Sequence, residues 1–222
     1  MNDTIQMIAV YTLPVLFAIT LHEAAHAYAA RYFGDLTAYS QGRMSLNPSK
    51  HIDPIGTIVL PLVTAFVFPF VIGYARPVPV DFSRLNNPKK DMLWVALAGP
   101  AANLLMAFAW PAFYLILYAS GVKEQFFFKV AAAGMNVNLA LFAFNLFPLP
   151  PFDGGRIVFS LLPDRYAFRF SQLEPYGFAI FLALVLFSLI HIDLLNYWMH
   201  PVISAAEAFL SILLSPLKLL LT

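Results

Sequence analysis

The chain has 222 residues, 60% of them hydrophobic and 11% charged, with a mean hydropathy of +0.74 and a formal net charge of +1. That usage lies far outside a water-soluble domain and puts most of the chain in lipid, while the near-neutral balance excludes a basic nucleic-acid surface and an acidic solvating tail. There is no cysteine, which excludes disulfides, thiolate nucleophiles and cysteine-held metals, so any metal must be held by His, Asp or Glu.

The first apolar run, 5–33, follows Met1-Asn2-Asp3-Thr4 with no Lys or Arg before it. It lacks the basic region of a cleavable leader and is expected to be a retained span. Inside it lies His22-Glu23-Ala24-Ala25-His26. Spacing of i, i+4 on a helix puts two imidazoles on one face about 5–6 Å apart. Two ligands of one tetrahedral zinc need that arrangement, and Glu23, one position round the helix, is placed to take a proton from water at the metal. The alternative is that these polar residues glue helices together, but an uncompensated Glu at mid-helix in lipid costs on the order of 3 kcal/mol.

Further along, His51 and Asp53 read either as a hydrogen-bonded turn or as a second metal site. The run 55–74 contains Pro61 and Pro69, each of which breaks a helix hydrogen bond, so it reads as a re-entrant segment as readily as a straight span. Runs near 92–120, 126–147, 175–196 and 201–221 are each long enough to cross, which takes roughly 20 residues. Asn103 lies within the second of the full spans, where it is an interhelical hydrogen-bonding group or a site residue. His191, Asp193 and His200 fall with Tyr197 and Trp198 at the membrane surface opposite the His pair and read as an interfacial belt.

Lys and Arg are enriched in cytoplasmic loops. With 55–74 entering and returning on one side, eleven of the 13 Lys and Arg residues face one compartment and only Lys123 and Lys129 face the other. The expected topology has an outside N-terminus, an inside C-terminus, five full spans and a re-entrant 55–74. The spans 5–33 and 126–147 then run in the same direction. Asp153, in Asn145-Leu146-Phe147-Pro148-Leu149-Pro150-Pro151-Phe152-Asp153-Gly154-Gly155, can therefore reach the depth of the His pair. Three prolines forbid regular helix there, and irregular backbone at membrane depth is tolerated only in protein or beside a wet cavity. Asp153 is either the third ligand or a turn residue before two glycines.

With these residues the chain resembles the site-2 protease family of intramembrane zinc metalloproteases. The resemblance covers nearly the whole chain and rests on His22 to His26, Gly34-Asp35, Leu46 to Thr57, Gly99-Pro100 with Asn103, and Asn145 through Gly155. It implies zinc on His22, His26 and Asp153, Glu23 as catalytic base, Asn145 holding substrate backbone, and a membrane-dipping β-hairpin within 36–80. The chain looks like a minimal member, without the PDZ or CBS domains of larger relatives.

The expected protein is therefore an all-α polytopic membrane protein, one intramembrane metalloprotease domain over 1–222, with a zinc site inside the helix bundle and the small β-hairpin beside it. It is expected to hold one zinc per chain and to cut a peptide bond in or near the transmembrane segment of a membrane-protein substrate. Catalysis falls to Glu23, metal binding to His22, His26 and Asp153, and substrate binding to Asn145 and Asn103. Its setting is the plasma membrane, with the site open to the cytoplasm. Its partners are the bilayer and the substrate helix, with no nucleic acid. The rival expectation is a zinc-containing membrane scaffold or chaperone that binds transmembrane helices without cutting them, for which Glu23 is superfluous.

Overall fold

A computed structural model of the chain describes residues 2–59, 75–189 and 193–221. The helices are α1 (Asn2–Tyr32), α2 (Thr37–Ser40), α3 (Pro88–Ala119), α4 (Gln125–Asn145), α5 (Asp153–Leu161), α6 (Asp164–Ser171), α7 (Gly177–Leu189) and α8 (Leu194–Leu221). Five segments are long and apolar enough to cross a membrane: Ile5–Tyr32, Pro88–Ala119, Gln125–Asn145, Asp164–Phe187 and Leu194–Leu217. This is an integral membrane protein.

The centre of the bundle is α1, α3 and α4. In lipid the association of helices comes from close packing and interhelical hydrogen bonds, which favours small residues at the contacts. Ala18, Ala27 and Ala30 of α1 are fully buried, and Gly134 of α4 lies against the indole of Trp110 of α3, where a Cβ would collide. Val10 of α1 packs with Val130 and Ala133 near the start of α4, so these two helices run in parallel, with α3 antiparallel to both. That common direction is the one expected from the charge distribution, and it carries the chain after α4 to the depth of His22 and His26.

The last helix runs opposite to expectation. Trp198, near the start of α8, donates from Nε1 to the carbonyl of Ala143 at 2.9 Å, and its ring stacks edge-on against Phe147, 5.9 Å away. Further on, Ala206 and Leu210 pack with Leu139 and Ala107. Leu210 and Leu214 then line a cavity with Ala131, Ala132 and Tyr114. So α8 is antiparallel to α4 and parallel to α3, and its last turns lie at the end of the bundle where α3 finishes. The helix α7 has 13 residues, about 20 Å at helical rise. Gly177 at its start touches Pro151, and Leu195 just after it joins Phe147, Phe152 and Leu184 in one cluster. Gly177 and Leu195, at the start of α7 and after its end, thus lie at one end of the bundle. Residues 193–200 sit beside the Pro148–Asp153 loop, not at the opposite surface, because the aromatic side chains of both segments find their packing partners in each other. His191 lies outside the described residues.

The expected β-hairpin is corrected too. Among the described residues there is no strand pair between 36 and 80. Instead, short polar side chains satisfy the backbone locally, the competition that removes ladders. Asp35 accepts from Thr37 N (2.9 Å) ahead of α2, and Asn47 accepts from Ser49 N (3.0 Å) at the turn Pro48–Lys50. Asp53 accepts from Ile55 N (3.0 Å) and Gly56 N (2.7 Å) at the start of the π turn Pro54–Val59. Residues 75–80 have no regular secondary structure and contain Pro77 and Pro79, which have no N–H to donate to a ladder. Most of the expected re-entrant stretch, 60–74, lies outside the described residues.

Candidate metal centre

Two helix faces form the site. On α1 the i, i+4 series Ala18, His22, His26 faces α3, which answers with its own i, i+4 series Val95, Gly99, Asn103. His26 Nδ1 lies 2.7 Å from the carbonyl of Val95, and His22 Nδ1 lies 2.6 Å from Asn103 Oδ1. Gly99 sits between the two. A Cβ there would run into His26 Nε2, and into His22 Cε1 at 2.6 Å, so a larger residue would force both imidazoles to move.

These contacts assign the tautomers. A carbonyl only accepts, so the proton of neutral His26 is on Nδ1 and its Nε2 carries a lone pair. The Asn103 amide is oriented by its own donors: Nδ2 reaches the carbonyl of Ala18 (3.3 Å) and Oδ1 of Asn138 (3.0 Å), and Asn138 in turn donates to the carbonyl of Gly134 (2.8 Å). Asn103 Oδ1 is thereby the acceptor for His22 Nδ1–H, leaving a lone pair on His22 Nε2. The relay runs through three spans, with Asn103 and Asn138 both fully buried.

Asp153 completes the cluster from the first residue of α5. It is delivered by the tight Leu146–Phe152 loop, where Leu149 N donates to Phe147 O (2.8 Å) and Phe152 N to Leu149 O (3.1 Å). A Cβ on Gly154 would collide with the carbonyls of Leu146 and Phe147, so this close folding depends on glycine. Phe144, Phe147, Phe152 and Trp198 brace the loop from behind. Asp153 Oδ2 lies 3.2 Å from His22 Nε2 and 3.3 Å from His26 Nε2, and the two Nε2 atoms are 3.0 Å apart. Together the three side chains form a group whose ligand atoms all lie within 4.8 Å of one another.

This donor set fits a metal cation. Three lone-pair-bearing atoms converge, and with both imidazole protons committed on the far side no hydrogen lies between them. Asp153 Oδ2 is buried without a hydrogen-bond partner among the described residues even though two nitrogens stand near it. Mutually repelling acceptors this close together are stable around a cation, and imidazoles held through Nδ1–H by outer partners are the usual support of a metal ligand.

The remaining expected residues fall as follows. Glu23, half-buried beside the cluster, accepts at Oε2 from the backbone N–H of Val78 at 2.7 Å. Asn145 donates its amide back to the carbonyl of Leu141 in its own helix, at 3.0 Å. Asn103 touches His22 and not an open surface. His51 is buried and hydrogen-bonded to the carbonyl of Ser45 (2.8 Å), and Asp53 caps a turn; both follow the turn reading. Burial and the neighbouring Arg76 charge push the Arg43 guanidinium below its ordinary pKa, with the Glu23 carboxylate opposing them.

With the site defined, comparison with known proteins is informative. Residues 120–188 match the family model described as Peptidase family M50. The chain is 41% identical over 181 residues to "Putative zinc metalloprotease YwhC" of Bacillus subtilis, covering 78% of this chain and 78% of that protein. The chain belongs to peptidase family M50, the site-2 protease family. The chain is also similar to "Putative zinc metalloprotease Rip2" of Mycolicibacterium smegmatis, 28% identical over 181 residues (77% of this chain, 64% of that protein), and "Putative zinc metalloprotease MJ0611" of Methanocaldococcus jannaschii, 25% identical over 159 residues (71% and 73%). No solved structure matches the chain significantly. For this M50 member, sequence reasoning missed Asn138, the far end of the relay to His22. Its signal was one amide beside Asn136 and Asn145 in a largely apolar span, which reads equally as helix glue.

Proposed function

We propose that this chain is an intramembrane zinc-dependent endopeptidase that hydrolyses a peptide bond in or near a transmembrane segment of another membrane protein. The observation that carries this reading is the convergence of three lone-pair-bearing atoms, from His22, His26 and Asp153, beside a carboxylate that none of them uses. One zinc per chain would be held by those three residues, leaving a position open as catalytic sites do. Bound there, it supplies Lewis acidity, acidifying a water and polarising a carbonyl oxygen.

The chain's own residues do the rest. Glu23 takes a proton at its carboxylate and returns it to the leaving amine. Asn103 and Val95 hold the two imidazoles in the required tautomer. Asn145, eight residues before Asp153, exchanges its intrahelical bond for one to the backbone of an unwound substrate. Residues 1–222 act as one domain in the plasma membrane. The Lys- and Arg-rich end faces the cytoplasm, and since His22 is about 11 residues, or roughly 16 Å, from Phe33, the water path is short.

Metal removal tests the reading. Purified protein in proteoliposomes with a transmembrane reporter should lose cleavage when zinc is chelated and regain it when zinc is restored. His22→Ala, His26→Ala and Asp153→Ala should each lose the metal. Cleavage that persists in metal-free protein would contradict the proposal.

A further inference from the structure

Two motifs outside the metal centre, Gly34-Asp35 and Leu46 to Thr57, together with Arg43 between them, converge on one segment. Residues Ala75-Arg76-Pro77-Val78-Pro79-Val80-Asp81 have no regular secondary structure and lie against α1, Val78 packing on Ala27 and Val80 beside Ala30. Prolines at 77 and 79 fix their own φ and bias Arg76 and Val78 towards extended backbone. They also leave Val78 as the one N–H donor between them, and that donor sits on Glu23 Oε2 at 2.7 Å. Three anchors hold the segment. Arg76 N donates to His51 O (2.9 Å), Asp81 N donates to Asp35 Oδ2 (2.8 Å), and Arg43 Nη2 donates to the carbonyls of Arg76 (2.9 Å) and Pro77 (3.3 Å).

The third anchor acts on the peptide that matters. The Pro77 carbonyl and the Val78 N–H belong to one planar trans unit and point in opposite directions. Arg43 holds its oxygen and Glu23 its hydrogen. Arg43 is itself buried, only 9% exposed, although its Nε–H has no partner among the described residues, a cost that a residue serving surface solubility would not carry.

We propose that Arg43 is a positioning residue for the reaction: by holding the Pro77–Val78 peptide it keeps the Val78 N–H on Glu23 Oε2, which fixes the carboxylate rotamer and leaves Oε1 to take the proton. The inference rests on the reading of Glu23 as general base. Both bonds come from the single nitrogen Nη2, so an ammonium supplies enough donors but carries them on a shorter, more flexible stem, and it replaces the guanidinium only in part.

The test compares wild type, Arg43→Ala and Arg43→Lys in proteoliposomes with a transmembrane reporter, following kcat, KM, bound zinc and thermal unfolding. Alongside, Ala27→Cys and Val78→Cys are placed together in this cysteine-free chain, at two positions that pack in one buried cluster. Their bridging by a short bifunctional thiol reagent reports how well the segment stays docked. Arg43→Ala should lower kcat on the order of tenfold to a hundredfold with KM and zinc nearly unchanged, Arg43→Lys should recover only part, and bridging yield should fall in both. Bridging 27 to 78 in the Arg43→Ala background should restore kcat. Wild-type kcat in Arg43→Ala, or a lowered kcat that bridging does not restore, would overturn the proposal, including when Arg43→Ala is thermally weakened. If wild type itself does not cleave, the general-base reading fails separately, and equal bridging yields with and without Arg43 would still overturn this one.

Discussion

His22 and His26 present Nε2 to a common point because Val95 and Asn103, about two helical turns apart on α3, hold their Nδ1 protons. The i, i+4 His pair and its adjacent Glu were legible in the sequence, since helical spacing alone dictates their geometry. Their support was not, because the partner of His22 lies 81 residues away and the next member of the relay a further 35. Removing the relay should weaken the metal without removing a ligand: Asn103→Ala is expected to lower zinc affinity about 10- to 100-fold, measured by competition with a chromophoric chelator, and Asn138→Leu to act in the same direction. Unchanged affinity in both would show that the relay orients nothing. Gly99→Ala is expected to be harsher than its one carbon suggests, losing most bound zinc by elemental analysis, because the new methyl falls on both imidazoles. Asn145→Ala should leave zinc in place and lower kcat by roughly tenfold, since its proposed role is to position substrate.

The elements between the spans were less legible than the spans. Apolar length and Lys/Arg distribution identified the direction of α1, α3 and α4, because lipid enforces both signals on every crossing. Between 36 and 80 the sequence offers Asp35, Asn47 and Asp53 before turns and prolines at 77 and 79. Those are local satisfiers of backbone and breakers of ladders, and the structure follows them instead of the hairpin that resemblance implied. The direction of α8 was lost for a different reason: Trp198 carries the composition of an interfacial anchor, and its burial against Phe147 depends on a contact that no local pattern encodes. Thiol labelling of single cysteines in sealed vesicles checks both results. Ser83 and Ser171 should label from the inside and Ser120 from the outside. A cysteine at Leu219, near the end of α8, should label with Ser120. Labelling of Leu219→Cys with Ser83 would restore the topology expected from sequence.

At the scale of the whole molecule, one bundle brings together residues from its first helix, its third and the loop after its fourth. The packing of small residues along α1, α3 and α4 sets the depth at which His22, His26 and Asp153 meet. A Glu beside them in lipid costs on the order of 3 kcal/mol unless it is held and used. Here it is held by the Val78 N–H, an arrangement that a protease and a zinc-keeping scaffold share, so the two readings part on whether Glu23 takes a proton. The most direct measurement is cleavage of a co-reconstituted transmembrane substrate by Glu23→Gln protein, with zinc content and substrate capture followed in the same vesicles. The account predicts wild-type zinc, wild-type capture and no cleavage, because an amide cannot take the proton from water. Undiminished cleavage by Glu23→Gln would contradict it.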